Sequence, residues 1–163
     1  DFVGMNLYSR TMAYYDKDVP LLEAMVDEDH RVPGRAYTDM GWEVYPESMF
    51  ETLMRFKTEW GDPEVYVTEN GAAYDDGVVN GGVSDDRRID YLKLYLEQVR
   101  RAMDLGVKVR GYFVWSLFDN FEWALGYGKR FGVVHVDYET LRRTPKASAF
   151  WYRQLIENGS YEM

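Results

Sequence analysis

Val65-Tyr66-Val67-Thr68-Glu69-Asn70, followed by Gly71, is the stretch whose reading decides the fold. Alternating β-branched and aromatic residues specify a strand, and this strand runs directly into a carboxylate flanked by Thr68, Asn70 and a glycine that lets the backbone turn. An ionised side chain at the C-terminal end of a buried strand is costly unless it faces a polar cleft. Where strands and helices alternate into a barrel, that edge is where catalytic groups are carried. Glu69 is therefore the first candidate for chemistry.

Working outward, the same strand-then-helix unit recurs. A first strand covers roughly 2–8, and a Gly/Pro-punctuated acidic stretch of surface loops follows it up to Gly41-Trp42-Glu43. Pro46 opens a helix whose apolar positions Met49, Phe50, Leu53, Phe56 and Trp60 recur at helical spacing, and Gly61-Asp62-Pro63 stops it. After the Glu69 strand, residues 71–84 read as loop, with Ser84 or Asp85 capping a helix. Ile89, Leu92, Leu96, Val99 and Met103 form its stripe, and Gly106 ends it. A third strand covers about 108–117, a short extended piece covers 132–137, and Thr144 (as N-cap) with Pro145 starts a last helix that packs through Ala147, Phe150, Trp151 and Leu155. This order implies an α/β fold with parallel strands and right-handed crossovers. Three such units do not close a barrel, which takes about eight strands. The chain also opens in what reads as a strand interior, without Met, and so looks like part of a larger protein.

Composition narrows the partners. The 163 residues carry 19 basic and 28 acidic side chains, a net charge of −9 that argues against nucleic acid or an anionic membrane surface. No apolar run approaches the ~18 residues that span a bilayer, and no signal peptide opens the sequence. With no cysteine there is no disulfide or thiol chemistry, which fits a cytoplasmic location. His30 and His135, far apart in the chain, give little basis for a metal site. Aromatic residues make up 17% of the chain, in an otherwise hydrophilic protein. They fit either a packed aromatic interior or a sugar-binding cleft, where aromatic faces stack on C–H patches and Tyr and Trp add a hydrogen-bonding tip.

A second constellation follows the third strand: Trp115-Ser-Leu-Phe-Asp-Asn-Phe-Glu122-Trp123. A carboxylate bracketed by two indoles, at another strand's C-terminal end, suits a polyol. Carboxylates accept paired hydrogen bonds from vicinal hydroxyls, and indoles stack on pyranose faces. Taken singly, a Trp at a strand end is more often core, and a Glu in a loop more often a solvated charge.

These residues resemble family 1 of the glycoside hydrolases, the β-glucosidase and β-galactosidase group. The resemblance rests on Val67-Thr68-Glu69-Asn70-Gly71, on Trp115 through Trp123, and on Asp1-Phe-Val-Gly-Met-Asn6-Leu-Tyr8. Met40-Gly41-Trp42-Glu43-Val-Tyr-Pro46, Gly128-Lys-Arg-Phe131-Gly132-Val-Val-His-Val-Asp137 and Arg143-Thr-Pro-Lys146-Ala-Ser-Ala-Phe-Trp151-Tyr extend it over essentially the whole chain. It implies a (β/α)8 TIM barrel with retaining chemistry, residues 1–163 forming the C-terminal portion of that single domain, about strands six to eight. It also implies Glu69 as nucleophile, Tyr8 as the phenol that hydrogen-bonds it, and Asn6 as a neighbour in the same network. Glu122 and Trp123 would grip the sugar's hydroxyls, Trp115 would lie beneath the ring, Phe131 near its 6-position, and Trp42 beside the aglycone. Phospho-sugar hydrolases of the group replace the carboxylate found here as Glu122, since an anion there would repel phosphate, so Glu122 points to a neutral β-glucoside.

The family's acid/base glutamate lies in an Asn-Glu-Pro motif, and no Asn-Glu-Pro occurs in this sequence. The expectation is thus a β-glucosidase portion, free of metal or organic cofactor, that acts with the N-terminal part of the same barrel. The rival reading is a catalytically silent half-barrel or sugar-binding scaffold, whose open sheet edge invites self-association into a homo-oligomer or pairing with a complementing chain.

Overall fold

All three expected strands form and lie side by side. The computed structural model describes residues 1–27 and 31–159, so His30 lies outside the described residues. In chain order the elements are β1 (Phe2–Asn6), β2 (Ala13–Tyr15), β3 (Ala24–Val26), α1 (Glu47–Glu59), β4 (Glu64–Asn70), α2 (Asp86–Asp104) and β5 (Val109–Val114). A 3-10 turn (Trp123–Leu125), β6 (Val134–Val136), β7 (Arg143–Pro145) and α3 (Ala147–Asn158) follow. β1, β4 and β5 make one sheet in that order, both pairings parallel. Parallel neighbours need a crossover, and α1 and α2 supply them. The stretch expected as loop between β1 and α1 also contains an antiparallel hairpin, β2 with β3.

The core lies between one face of this sheet and the helices. Met5, Val65 and Val67 from the strands meet Met49, Leu53 and Phe56 of α1 and Leu92, Tyr95 and Val99 of α2. The i, i+4, i+7 spacing of Met49, Leu53 and Phe56 is why α1 buries that side. The helix ends at Trp60, beyond which Gly61 takes a left-handed backbone, φ +83°. The opposite face of the sheet is open: Phe2 is 63% and Phe113 56% exposed, with Tyr66 laid between β1 and β5.

Residues 132–136 run alongside 116–119 beyond the end of β5. Val133 N–H donates to Ser116 C=O and Val134 N–H to Leu117 C=O, each at 2.9 Å. Here the expected start of the last helix is corrected. Thr144 and Pro145 belong to β7, pairing with His135 and Val134 of β6, so their backbone is committed to a hairpin. α3 begins two residues later, after Lys146 in an extended conformation. Its first-turn donors are satisfied from outside: Ala147 N–H reaches Val83 C=O and Ser148 N–H reaches the Asp85 carboxylate at 2.8 Å. Asp85, expected to cap α2, stands at that N-cap position but gives its carboxylate to α3 and to Arg88. Phe150 and Met103, expected on packed faces, are 57% and 48% exposed because none of the described residues covers those sides.

Candidate active site

Strict alternation would place Glu69 on the same face as Val65 and Val67, in the apolar core. The strand avoids this with an extra residue. Against β1, Met5 pairs with Val67 but Asn6 with Glu69, and against β5 the step from Tyr112 to Val114 spans Val67 to Asn70. Such a bulge shifts the alternation and re-aims a side chain. Asn70 returns to the helix side, fully buried, while Glu69 is freed from it. At the next residue, a Cβ on Gly71 would lie 1.8 Å from the Trp115 carbonyl oxygen, so only glycine lets the ends of β4 and β5 meet.

Tyr8, just past β1, donates its hydroxyl to Glu69 Oε2 at 2.6 Å. Burial raises the Tyr8 phenol far above its ordinary value, and the hydrogen bond and charge of Glu69, then the charge of Glu122, push the same way. Tyr8 thus keeps its proton and serves as a donor. Glu122 is raised as well, by burial first and by the Glu69 charge second. The three groups share one electrostatic environment.

Aromatic rings flank them. Tyr8 lies 5.3 Å from Trp42 and 6.1 Å from Phe131, and Trp42 and Phe131 are 6.1 Å apart, centroid to centroid. Phe131 is 2% exposed, packed beneath this cluster rather than presented at the surface. Trp115 stands at the end of β5, where its N–H donates to Asn70 C=O at 2.9 Å and its peptide bond to Ser116 is cis. Trp123 sits on the 3-10 turn with φ +43° and is 82% exposed. Asn6 is exposed, and its Oδ1 accepts from Thr68 Oγ1 at 2.6 Å; that is a contact beside the Tyr8–Glu69 pair, not a bond to it. A cavity of about 490 Å³ adjoins Trp42, lined by Arg10, Tyr37, Met40 and Glu43 among others; Glu69 is not in its wall. The candidate site therefore centres on the Tyr8–Glu69 hydrogen bond, with this cavity as its neighbour across Trp42.

Sequence reasoning passed over three features. Glu43 is gripped by Arg10 through two hydrogen bonds, 2.8 and 3.1 Å. Asn70, Tyr91 and Tyr95 form a buried polar group behind Tyr8. Asp76, Asp85, Arg88, Asp119, Arg130 and Lys146 form an ionic network beneath the loops. Among the described residues no cluster of His, Cys, Asp and Glu could hold a metal ion, and no helix is long and apolar enough to cross a membrane.

The Glu122 shift has a testable sign. A carboxyl whose folded pKa lies above its unfolded value stabilises the fold below the unfolded value and loses that contribution as pH rises through the folded one. Glu122→Gln is therefore expected to raise Tm at pH 7 and to leave it nearly unchanged below about pH 3, where the wild-type carboxyl is protonated in both states. Thermal melts at the two pH values check this, and equal increments at both would contradict it.

The phenol-bound carboxylate Glu69 and the Trp115 indole stand at the C-terminal ends of parallel strands, the edge at which barrel enzymes place their catalytic groups, and Glu122 and Trp123 follow in the loop after β5. The family model for Glycosyl hydrolase family 1 matches residues 1–160. Beta-glucosidase A of Thermotoga maritima is 49% identical over 163 residues, covering 99% of this chain and 35% of the relative. A 6-phospho-beta-galactosidase of Streptococcus equi subsp. zooepidemicus is 44% identical over 178 residues, covering 100% of this chain and 38% of the relative. Among solved structures, the beta-glucosidase from Thermotoga maritima in complex with deoxynojirimycin superposes with a TM-score of 0.92 at 47% identity, over 99% of this chain and 36% of that one. The chain belongs to glycosyl hydrolase family 1. Its members are TIM barrels, and this chain spans about a third of the length of the relatives it matches.

Proposed function

We propose that residues 1–163 are the C-terminal portion of a single TIM-barrel domain, about strands six to eight, of a retaining β-glucosidase. The observation that carries this reading is the 2.6 Å hydrogen bond from Tyr8 to Glu69 at the ends of neighbouring parallel strands, with Glu122 raised by burial first and by the Glu69 charge second. The open sheet face carrying Phe2 and Phe113 supports the incomplete barrel, since a closed barrel fills its interior with side-chain layers.

In this reading Glu69 attacks the anomeric carbon while an acid from the N-terminal part of the barrel protonates the departing oxygen. A covalent glycosyl-enzyme forms, and water releases the sugar with its configuration retained. Tyr8 orients the attacking carboxylate. Glu122 and Trp123 hold hydroxyls, Trp115 lies beneath the ring, Phe131 backs the cluster near the 6-position, and Trp42 borders the aglycone. The Glu122 carboxylate disfavours a phosphorylated sugar by like-charge repulsion, which makes a neutral β-glucoside the substrate. No metal or organic cofactor enters the steps.

A slow-turnover 2-fluoro β-glucoside, applied to the complete protein, tests the assignment. The expected result is one sugar adduct on the peptide containing Glu69; an adduct on Glu122 would overturn the role given to each.

A further inference from the structure

Tyr91 and Tyr95 stand one turn apart on α2, with ring centroids 4.2 Å apart, stacked, and at most 1% exposed. Both hydroxyls donate to one acceptor, the backbone carbonyl of Tyr8, each at 2.9 Å. The two lone pairs of that oxygen are thereby used, so the backbone of Tyr8 is held from two directions. Neither hydroxyl is free to turn elsewhere. Tyr91 accepts from Asn70 Nδ2 at 3.1 Å, and Tyr95 accepts from the Tyr45 N–H at 3.2 Å. Asn70 donates as well to Leu7 C=O at 2.6 Å and accepts from Tyr112 through its side-chain oxygen.

Burying an amide and phenols in an apolar core is expensive unless each finds a partner. Phenylalanine would fill the same volume in α2 without that cost; what the hydroxyls add is their hold on the Tyr8 carbonyl, Asn70 and the Tyr45 N–H. Burial pushes the Tyr91 phenol well above its ordinary value and the Tyr95 phenol to about 12, which keeps both as donors across the neutral range. The arrangement also spans both partners of the candidate pair. Asn70 follows Glu69 on β4, and its side chain grips Leu7, the residue before Tyr8. Leu7 N–H in turn donates to Glu69 C=O at 3.0 Å.

We propose that Asn70, Tyr91 and Tyr95 are positioning residues that set the Tyr8 hydroxyl on Glu69, a role that rests on Glu69 being the nucleophile. They touch no substrate and act through Tyr8. A double-mutant cycle separates this from a purely structural role. Tyr91→Phe, Tyr95→Phe and their combination are made in the complete protein, each in wild-type and in Tyr8→Phe backgrounds. The rate constant of covalent trapping by the 2-fluoro glucoside, the site of the adduct, kcat and KM for an aryl glucoside, and Tm are then measured.

The combined variant is expected to slow trapping about 10- to 100-fold, the scale of a small misplacement of a reacting group. The loss should fall on kcat rather than KM, and it should vanish in the Tyr8→Phe background. The same fold loss in both backgrounds overturns the proposal, as does a lowered Tm with an unchanged trapping rate. Each single substitution preserves packing, so the Tyr95→Phe cycle alone decides the matter if the combination does not fold. An adduct on Glu69 with additive effects removes the network's role and leaves the nucleophile standing. An adduct elsewhere removes the nucleophile assignment, and this role with it.

Discussion

Glu69→Ala in the complete barrel is expected to lower hydrolysis of an aryl β-glucoside by at least about 10⁴-fold, near 5.5 kcal/mol of lost transition-state stabilisation. The argument runs from the strand outward. The bulge in β4 frees Glu69 from the helix-facing side on which Val65, Val67 and Asn70 lie, and the Tyr8 hydroxyl fixes Oε2. Removing the carboxylate leaves the leaving-group side of the proposed reaction intact but deletes the group proposed to bond to C1. Azide fits the space left by the truncated side chain and supplies the missing electron pair. It forms a C1–N bond on the face Glu69 would have used as the aryl oxygen departs. One displacement replaces two, so the expected product is the α-glucosyl azide, identified by the anomeric coupling in its proton spectrum. Glu122→Ala should show no such rescue, because the role given to Glu122 is to hold hydroxyls. A β-azide from Glu69→Ala, or rescue of Glu122→Ala, would remove the assignment. Glu69→Ala should also lower the Glu122 pKa toward its ordinary value, since it deletes one of the two causes that raise it and leaves only burial.

How much of this was legible in the sequence depends on whether the signal was local. The strand–helix order was, because runs such as Val65-Tyr66-Val67 and the Met49, Leu53, Phe56 spacing encode their own periodicity. Thr144-Pro145 misled because a Thr-Pro pair before an apolar stripe reads the same whether proline opens a helix or closes a hairpin. Pairing with His135 and Val134 decides between them, and that contact is not local. The stripe on α2 was drawn through Ile89, Leu92, Leu96, Val99 and Met103, whereas the buried face runs through Arg88, Tyr91, Leu92, Tyr95, Val99 and Ala102. Hydropathy ranks tyrosine and arginine as surface-tolerant, so a stripe of aliphatics hides Tyr91 and Tyr95, which reach Tyr8, and Arg88, which enters the ionic network. The candidate site divides the same way. Glu69 meets Tyr8, and Tyr8 lies against Trp42 and Phe131, side chains drawn from four separate motifs. The register break that aims Glu69 is visible only once β1 and β5 are set beside β4.

The ionic network is the least legible feature, since its members come from α2 and from loops far apart in the chain, and it carries the other large expected effect. Lys146→Met should destabilise the protein by about 3–5 kcal/mol, the cost of breaking a buried ion pair from one side. Lys146 is fully buried, with Nζ 2.8 Å from Asp76 Oδ2 and 3.0 Å from Asp119 Oδ1. Burial first, and the Arg88 charge second, pull its ammonium below the usual lysine range, while Asp119 and Asp76 oppose them. Arg88 bridges Asp76 and Asp85, and Arg130 meets Asp119 at 2.6 Å, so three cations and three carboxylates interlock. Methionine matches the length of the lysine stem but leaves Asp76 and Asp119 short of one positive charge between them. Those carboxylates hold the loops that follow β4 and β5: Asp119 accepts the Gly132 N–H at 2.9 Å and the Val136 N–H at 3.3 Å, bracing the segment that ends in Glu122 and Trp123. Denaturant unfolding of Lys146→Met beside Lys108→Ala provides the comparison. Lys108 meets Asp62 at 2.8 Å, but both lie near the surface, where an ion pair contributes at most about 1 kcal/mol. A loss for Lys146→Met as small as that for Lys108→Ala would show that the network is dispensable. The expected large loss, accompanied by weaker sugar binding, would show that the loops bearing Glu122 and Trp123 are held in place from below.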